Sequence, residues 1–212
     1  MTKTLFYIIG RSGSGKDTVM KFILDSLPKL QEMIYYTTRA MRPYESEGNP
    51  YHFVDVETFK KMESEGKFVN VKSYDVWTAD NQHSTDWYGY PYPGSKFTIT
   101  SGPYLVYKKI EERLKGNAEY RVVPLYLTLE DEWTHLERIL LREINSKGTP
   151  KVKEAIRRFR ADATEYLTND QALEMFSPSA VFFNDDSVDQ TVMQMHEYIL
   201  DIIMEEENNH ED

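Results

Sequence analysis

A chain of 212 residues, 40% hydrophobic and 28% charged, has the balance of a soluble globular protein and enough length to bury a core without covalent staples. It contains no cysteine, which excludes disulfides, thiolate zinc sites and a cysteine nucleophile and suits a reducing cytoplasm. The net charge of −10 argues against a nucleic-acid polymer as partner, since that needs a basic face, yet a few local Arg and Lys suffice for a small phosphorylated ligand.

The N-terminal residues Met1 to Thr4 and the short apolar run after them are too brief for a signal peptide or a membrane span, so no membrane association is expected. Thr4 to Ile9 (TLFYII) is apolar on both faces, as a buried parallel strand requires. It leads into GRSGSGKDT, Gly10 to Thr18, where Gly10 through Lys16 satisfy G-x-x-x-x-G-K. In such a loop small residues let backbone N–H groups point at phosphate oxygens, and the positive end of the following helix adds to the attraction. The candidate ATP-binding residues here are Gly10, Ser12, Gly13, Ser14, Gly15, Lys16, Asp17 and Thr18, with Lys16 reaching the β- and γ-phosphates. The motif asks for a Ser or Thr hydroxyl on Mg2+ at the next position, but that residue is Asp17, and a hydroxyl follows at Thr18. Two readings of Asp17 stand: a magnesium ligand, direct or through water, or an acid that suits the first turn of a helix. Val19, Ile23 and Leu27, with Met20 and Leu24, recur at helical spacing until Pro28 ends the run.

Tyr35 to Val54 reads YYTTRAMRPYESEGNPYHFV. Arg39 and Arg42, three apart, and then Tyr51 make a sensible clamp for a second phosphate, because guanidinium groups grip it bidentately and a phenol adds a bond. A solvated basic turn has the same pattern. Asp55 caps a helix to about Glu65 that Gly66 ends, and residues 67–72 alternate like a strand. Residues 73–95, aromatic, polar and interrupted by Pro and Gly, read as a long irregular insertion. Pro103 begins a helix with Val106, Ile110 and Leu114 on one face. VVPLYLTL at 122–129 is a second buried strand made imperfect by Pro124, Glu130 to Arg142 is helical, and a polar break at 145–150 precedes a basic helix from about Val152. AVFFN at 180–184 is a third core strand. The last helix opens on Ser187 to Gln190 as a capping box and turns Val188, Val192, Met195, Ile199 and Ile202 inward, with 205–212 a frayed acidic end. Strands alternating with helices predict an α/β fold, a parallel sheet flanked by helices, with ligands at the carboxyl ends of its strands. The five histidines have no catalytic spacing and read as surface or packing residues.

The run T-T-R-x-x-R-P-x-E, a glycine, then Y-x-F-V after a phosphate loop resembles the guanylate kinase family. The resemblance continues through VETFKKMESEGKFV, Tyr88-Gly89, the arginines from Arg138 to Arg158, and Asn184-Asp185-Asp186. It implies a P-loop NTPase-type core at about 1–34, 97–142 and 154–212, an acceptor-binding lobe at about 35–96 and a lid at about 143–153, all in one domain. It also implies that Arg39, Arg42, Tyr51 and Tyr88 hold the acceptor's phosphate and that Arg138, Arg142 and Arg158 close with Lys16 over the transferring group. Asn184 would lie near the adenine of ATP. Three positions and one stretch depart from the family. Asn70 stands where guanylate kinases carry a base-reading Glu, Tyr90 and Tyr35 replace serines, and Thr98 to Gly102 replace an acidic D-x-D stretch. The G-K-D of the loop is similar to that of ribose 1,5-bisphosphate phosphokinases, which nonetheless lack the second clamp arginine. The implied activity is an ATP- and Mg2+-dependent kinase acting on a nucleoside monophosphate, GMP or dGMP by default. A phosphosugar kinase and a non-enzymatic guanylate-kinase-like interaction module are the alternatives.

Overall fold

The computed structural model describes residues 2–42, 45–77, 83–145, 155, 156, 159, 160, 162, 165–185 and 187–208. The lid span from 146 and Arg158 therefore lie outside the described residues.

β10 (Val181–Phe183), β9 (Tyr120–Thr128), β1 (Lys3–Ile9), β8 (Phe97–Gly102) and β2 (Gln31–Glu32) lie side by side in that order, every neighbouring pair parallel. Leu5 to Ile9 are fully buried because helices cover both faces of this sheet. Phe6 and Ile8 pack with Val19 and Ile23 of α1 (Lys16–Ser26) and with Met195 and Ile199 of α6 (Val188–Asn208). Leu5, Tyr7 and Ile9 pack with Tyr107 and Ile110 of α3 (Tyr104–Leu114) and Ala172 of α5 (Asn169–Met175). Each fully buried large aliphatic side chain contributes about 1.5–3 kcal/mol, so these two clusters hold the strand ends, and the loops that leave them, in place. Pro124 is tolerated because β10 pairs with β9 only from Tyr126 to Thr128. At Pro124 the strand has a partner on the β1 side alone, where the register is Tyr7 with Pro124.

A second, mixed five-stranded sheet has the order β4 (Ser46–Glu47), β5 (Pro50–Phe53), β3 (Tyr35–Thr37), β7 (His83–Pro91) and β6 (Phe68–Trp77). Here the expectation for residues 73–95 is corrected: most of the stretch is regular, with β6 and β7 paired antiparallel over their length, and β7 also pairs with β3. The Thr38 amide donates to the Trp87 carbonyl at 3.1 Å, and the Trp87 amide donates to the Thr38 hydroxyl at 3.0 Å, tying the ribbon down. α2 (Val56–Ser64) is capped as the sequence predicts, the Asp55 carboxylate accepting from the Thr58 amide at 2.7 Å, and Gly66 follows it at φ 70. Its Phe59 is fully buried with the ring 4.9 Å from that of Phe68 on β6. α4 (Glu132–Ile144) follows β9, and described residues between 155 and 165 are helical. α5 opens with a capping box, Thr168 with Gln171, that the sequence reading passes over.

Candidate active site

The loop between β1 and α1 turns through two positive-φ glycines, Gly13 at 86° and Gly15 at 96°, conformations that other residues adopt only under strain. Space is as restrictive as angle. A Cβ on Gly10 would stand 2.5 Å from the Leu127 carbonyl oxygen, and one on Gly15 would collide with the Asn184 amide nitrogen. The loop is braced on both sides. From below, the Asn184 amide donates to the Ser14 carbonyl at 2.8 Å, and Thr191 of α6 donates to the Asn184 side-chain oxygen at 3.4 Å. From above, the Ser12 amide donates to the buried Asp162 carboxylate at 2.7 Å, and His135 of α4 bonds the Ser12 carbonyl. Burial holds His135 below the usual histidine value, which suits a neutral, structural imidazole. Arg11 pairs with Glu132.

These contacts bear on how Asn184 and Ser14 are used. Asn184 is 5% exposed and spends its amide on the loop, so it braces the phosphate cradle rather than presenting that amide to adenine. Ser14 is buried, and its amide donates to the Arg11 carbonyl at 3.2 Å.

Two cavities open on either side of Lys16. The larger, about 520 Å³, is bordered by Ser12, Gly13, Gly15, Thr18, Arg138 and Arg142, with Lys72 and Tyr74 reaching in from β6. The smaller, about 420 Å³, is bordered by Glu32, Tyr35, Tyr51 and Thr100 to Gly102. Lys16 and Asp17 border both. The Lys16 ammonium donates to the Arg11 carbonyl at 2.8 Å, and burial pulls it below the usual lysine value. Arg138 donates to the Asp185 carbonyl at 3.4 Å.

Arg39, Tyr51 and Tyr88 lie close together. Arg39 makes two bonds to the Glu45 carboxylate, at 3.0 and 2.8 Å, and its guanidinium stands 5.3 Å from the centre of the Tyr51 ring. The Tyr88 ring packs edge-on against Tyr51 at 5.8 Å. The Arg42 amide also donates to Glu45, at 2.8 Å, while its side chain is exposed. The same hydrogen bonds raise Arg39 above, and hold Glu45 below, their ordinary values. Glu45 is the acid of the R-P-x-E run, so its signal was present in the sequence although no role was assigned to it.

Asn70 borders neither of these two cavities. It faces Tyr90 across the β6–β7 ladder, and its amide nitrogen is buried with no hydrogen-bond partner. Tyr90 is itself buried and lies 4.4 Å, ring to ring, from Tyr35. The Tyr35 hydroxyl bonds Thr100 and donates to the Ser101 carbonyl at 2.9 Å, fixing the ring against the end of β8.

The family model described as guanylate kinase matches residues 2–81. A guanylate kinase from Pseudomonas fluorescens is 46% identical over 68 residues, 32% of this chain and 33% of the relative. One from Aromatoleum aromaticum is 31% identical over 134 residues, 55% of this chain and 66% of the relative. Over these stretches the chain is similar to guanylate kinases. The matched stretches thus span from a third to 66% of these relatives' length. The fold agrees with a solved guanylate kinase from Anaplasma phagocytophilum, at TM-score 0.56 and 17% identity, over 97% of this chain and 86% of that one. Lys72, Tyr74 and Asp162 border the guanylate-kinase-like site without having been expected there. Lys72 ends the stretch expected to be a strand, Tyr74 lies in the stretch expected to be irregular, and Asp162 comes from a helix remote in sequence with no local pattern to mark it.

Proposed function

We propose that this chain is an ATP-dependent phosphotransferase that converts a nucleoside monophosphate, GMP or dGMP by default, to the diphosphate. One observation carries the reading: a phosphate loop with two arginines borders one cavity, a clamp tyrosine borders the other, and Lys16 with Asp17 borders both. ATP would lie along the loop with its γ-phosphate toward Lys16, and the acceptor phosphate would approach from the Arg39–Tyr51–Tyr88 side. An acceptor phosphate oxygen forms the new bond to the γ-phosphorus as the β–γ bridging bond breaks, and the electron pair leaves with ADP. Such chemistry asks for positioning and charge neutralisation rather than a covalent catalyst. Lys16, Arg138 and Arg142 supply positive charge for it.

Magnesium fits this site in one specific way. No group of three or more metal-ligating side chains exists among the described residues, but Mg2+ in kinases takes one or two carboxylates and completes its shell with phosphates and water. Asp17, which borders both cavities, would be the carboxylate that holds it, and the metal would neutralise phosphate charge. Among the described residues no helix is long and apolar enough to cross a membrane. We place the activity in the cytoplasm, with ATP and a small phosphorylated acceptor as partners. Coupled ADP release, screened over all nucleoside monophosphates and ribose 1,5-bisphosphate, tests the proposal. Turnover with GMP or dGMP is the expected result. Turnover with the phosphosugar alone, or with nothing, overturns it.

A further inference from the structure

We infer that Lys72 is an additional phosphate-binding cation, placed to contact the acceptor phosphate on the side from which it meets the transferring group; this rests on the phosphotransferase reading above. The inference starts from strand geometry. On β6 the residues 70, 72 and 74 share one face, and Lys72 stands opposite Tyr88 in the antiparallel register. Tyr88 packs on Tyr51 at 5.8 Å and Tyr74 packs on Tyr88 at 5.5 Å, so this face of the lobe is continuous with the Arg39 clamp. Lys72 and Tyr74 nevertheless border the cavity of Gly13, Gly15, Lys16, Arg138 and Arg142. Lys72 is thus beside the acceptor clamp in the ladder and inside the donor cavity in space.

Its neighbours show why a cation here matters. Lys16 donates to a backbone carbonyl, Arg39 is paired with Glu45, and Arg138 reaches the Asp185 carbonyl. Among the described residues Lys72 has no ion pair, and its ammonium rests 4.6 Å from the centre of the Tyr74 ring. A flexible four-carbon stem on a fixed strand lets that ammonium follow a phosphate. Two phosphate groups brought together across the site repel one another, and a mobile cation between them lowers that repulsion. An ordinary solvated lysine would be indifferent to the acceptor.

The test uses the full chain and its Lys72→Met and Lys72→Arg variants, with Lys109→Met, an exposed α3 residue, as control. Steady-state rates are measured with ATP and GMP, melting temperatures are recorded, and the KM for GMP is followed against salt. Lys72→Met should lose about tenfold or more in kcat/KM for GMP, with the KM for ATP within about twofold of wild type. Lys72→Arg should keep most of the activity, Lys109→Met all of it, and the salt dependence of the GMP KM should flatten in Lys72→Met. Equal kcat/KM in wild type and Lys72→Met overturns the inference alone. So does an equal loss in the Met and Arg variants with a lowered melting temperature, which assigns Lys72 a structural role. A wild type that transfers phosphate to no nucleoside monophosphate overturns the underlying reading, and this inference with it.

Discussion

The Asn184 side-chain amide, just beyond β10, holds the Ser14 carbonyl of the phosphate loop at 2.8 Å across 170 positions of chain. The bond couples the C-terminal edge of the parallel sheet to the cradle, and Gly15 leaves room for it. Asn184→Ala strands a buried carbonyl, at a cost of about 1–3 kcal/mol. It should lower the melting temperature and raise the KM for ATP several-fold while leaving the KM for the acceptor unchanged. An unchanged ATP KM in a stably folded variant would show that the loop keeps its shape unaided.

Lys16→Ala should reduce kcat by about a hundredfold or more, since its ammonium neutralises charge that grows between the β- and γ-phosphates. Among the described residues the half-buried Lys16 ammonium bonds only the Arg11 carbonyl, so the fold should persist, as circular dichroism would check. Equal turnover of ATP by the variant and wild type would remove the loop from the mechanism.

Legibility in the sequence divided along a physical line. The parallel core was readable because buried strands and amphipathic helices carry their burial in their own residues, as Leu5 to Ile9 and Val19/Ile23 show. The phosphate loop was readable because its glycines answer a local need of backbone angle and space. The β6–β7 ribbon from residue 73 on was not, since its stability comes from cross-strand partners such as Thr85 with Asp75 and Tyr88 with Tyr74 rather than from a continuous apolar pattern. The loop braces Asp162, His135 and Asn184 are polar residues whose importance exists only once distant segments meet.

For the metal, Asp17→Ala should raise the magnesium concentration needed for half-maximal rate more than it raises the KM for the acceptor. Asp17→Ser should recover much of the loss, because a hydroxyl oxygen can occupy the same coordination position. Identical magnesium titrations in wild type and both variants would leave Asp17 as an acid in the first turn of α1 and nothing more.

Arg39→Ala should raise the KM for the acceptor about tenfold or more, a charge-assisted hydrogen bond being worth roughly 1.5–3 kcal/mol, with the ATP KM unchanged. The supporting pair also sets a pH limit. Glu45 is held below the ordinary glutamate value by Arg39 and by the Arg42 amide, so its contribution is complete above the unfolded-state value of about 4.3. That contribution is lost only as pH falls through the lower, folded-state value. Glu45→Gln should therefore weaken acceptor binding at neutral pH, while wild type keeps its acceptor KM down to the start of the usual carboxylate range. A fall in ATP affinity in place of acceptor affinity would show the two sites to be reversed.

Asn70 carries the last prediction. Guanine presents two neighbouring donors, N1–H and the N2 amine, and a carboxylate, which only accepts, is their natural partner. Asn70 offers an NH2 group that is buried beside Tyr90 with no hydrogen-bond partner among the described residues. A ligand edge with a donor next to an acceptor, as in adenine, can satisfy an amide, and hypoxanthine lacks the N2 amine, whereas guanine read on its N1–H and N2 edge opposes donor to donor. Such a mismatch costs on the order of 1–3 kcal/mol, about ten- to a hundredfold in kcat/KM. If the acceptor base reaches this face of β6, wild type should use IMP or AMP at least as well as GMP, and Asn70→Glu should improve GMP by that factor. The structure also gives an outcome that does not depend on the acceptor: Asn70→Val, which removes the orphaned donor, should leave the melting temperature unchanged or higher. Efficient use of GMP by wild type, damaged by the Glu substitution, would show that Asn70 is screened from the base by the Tyr35–Tyr90 pair and that guanine is read elsewhere.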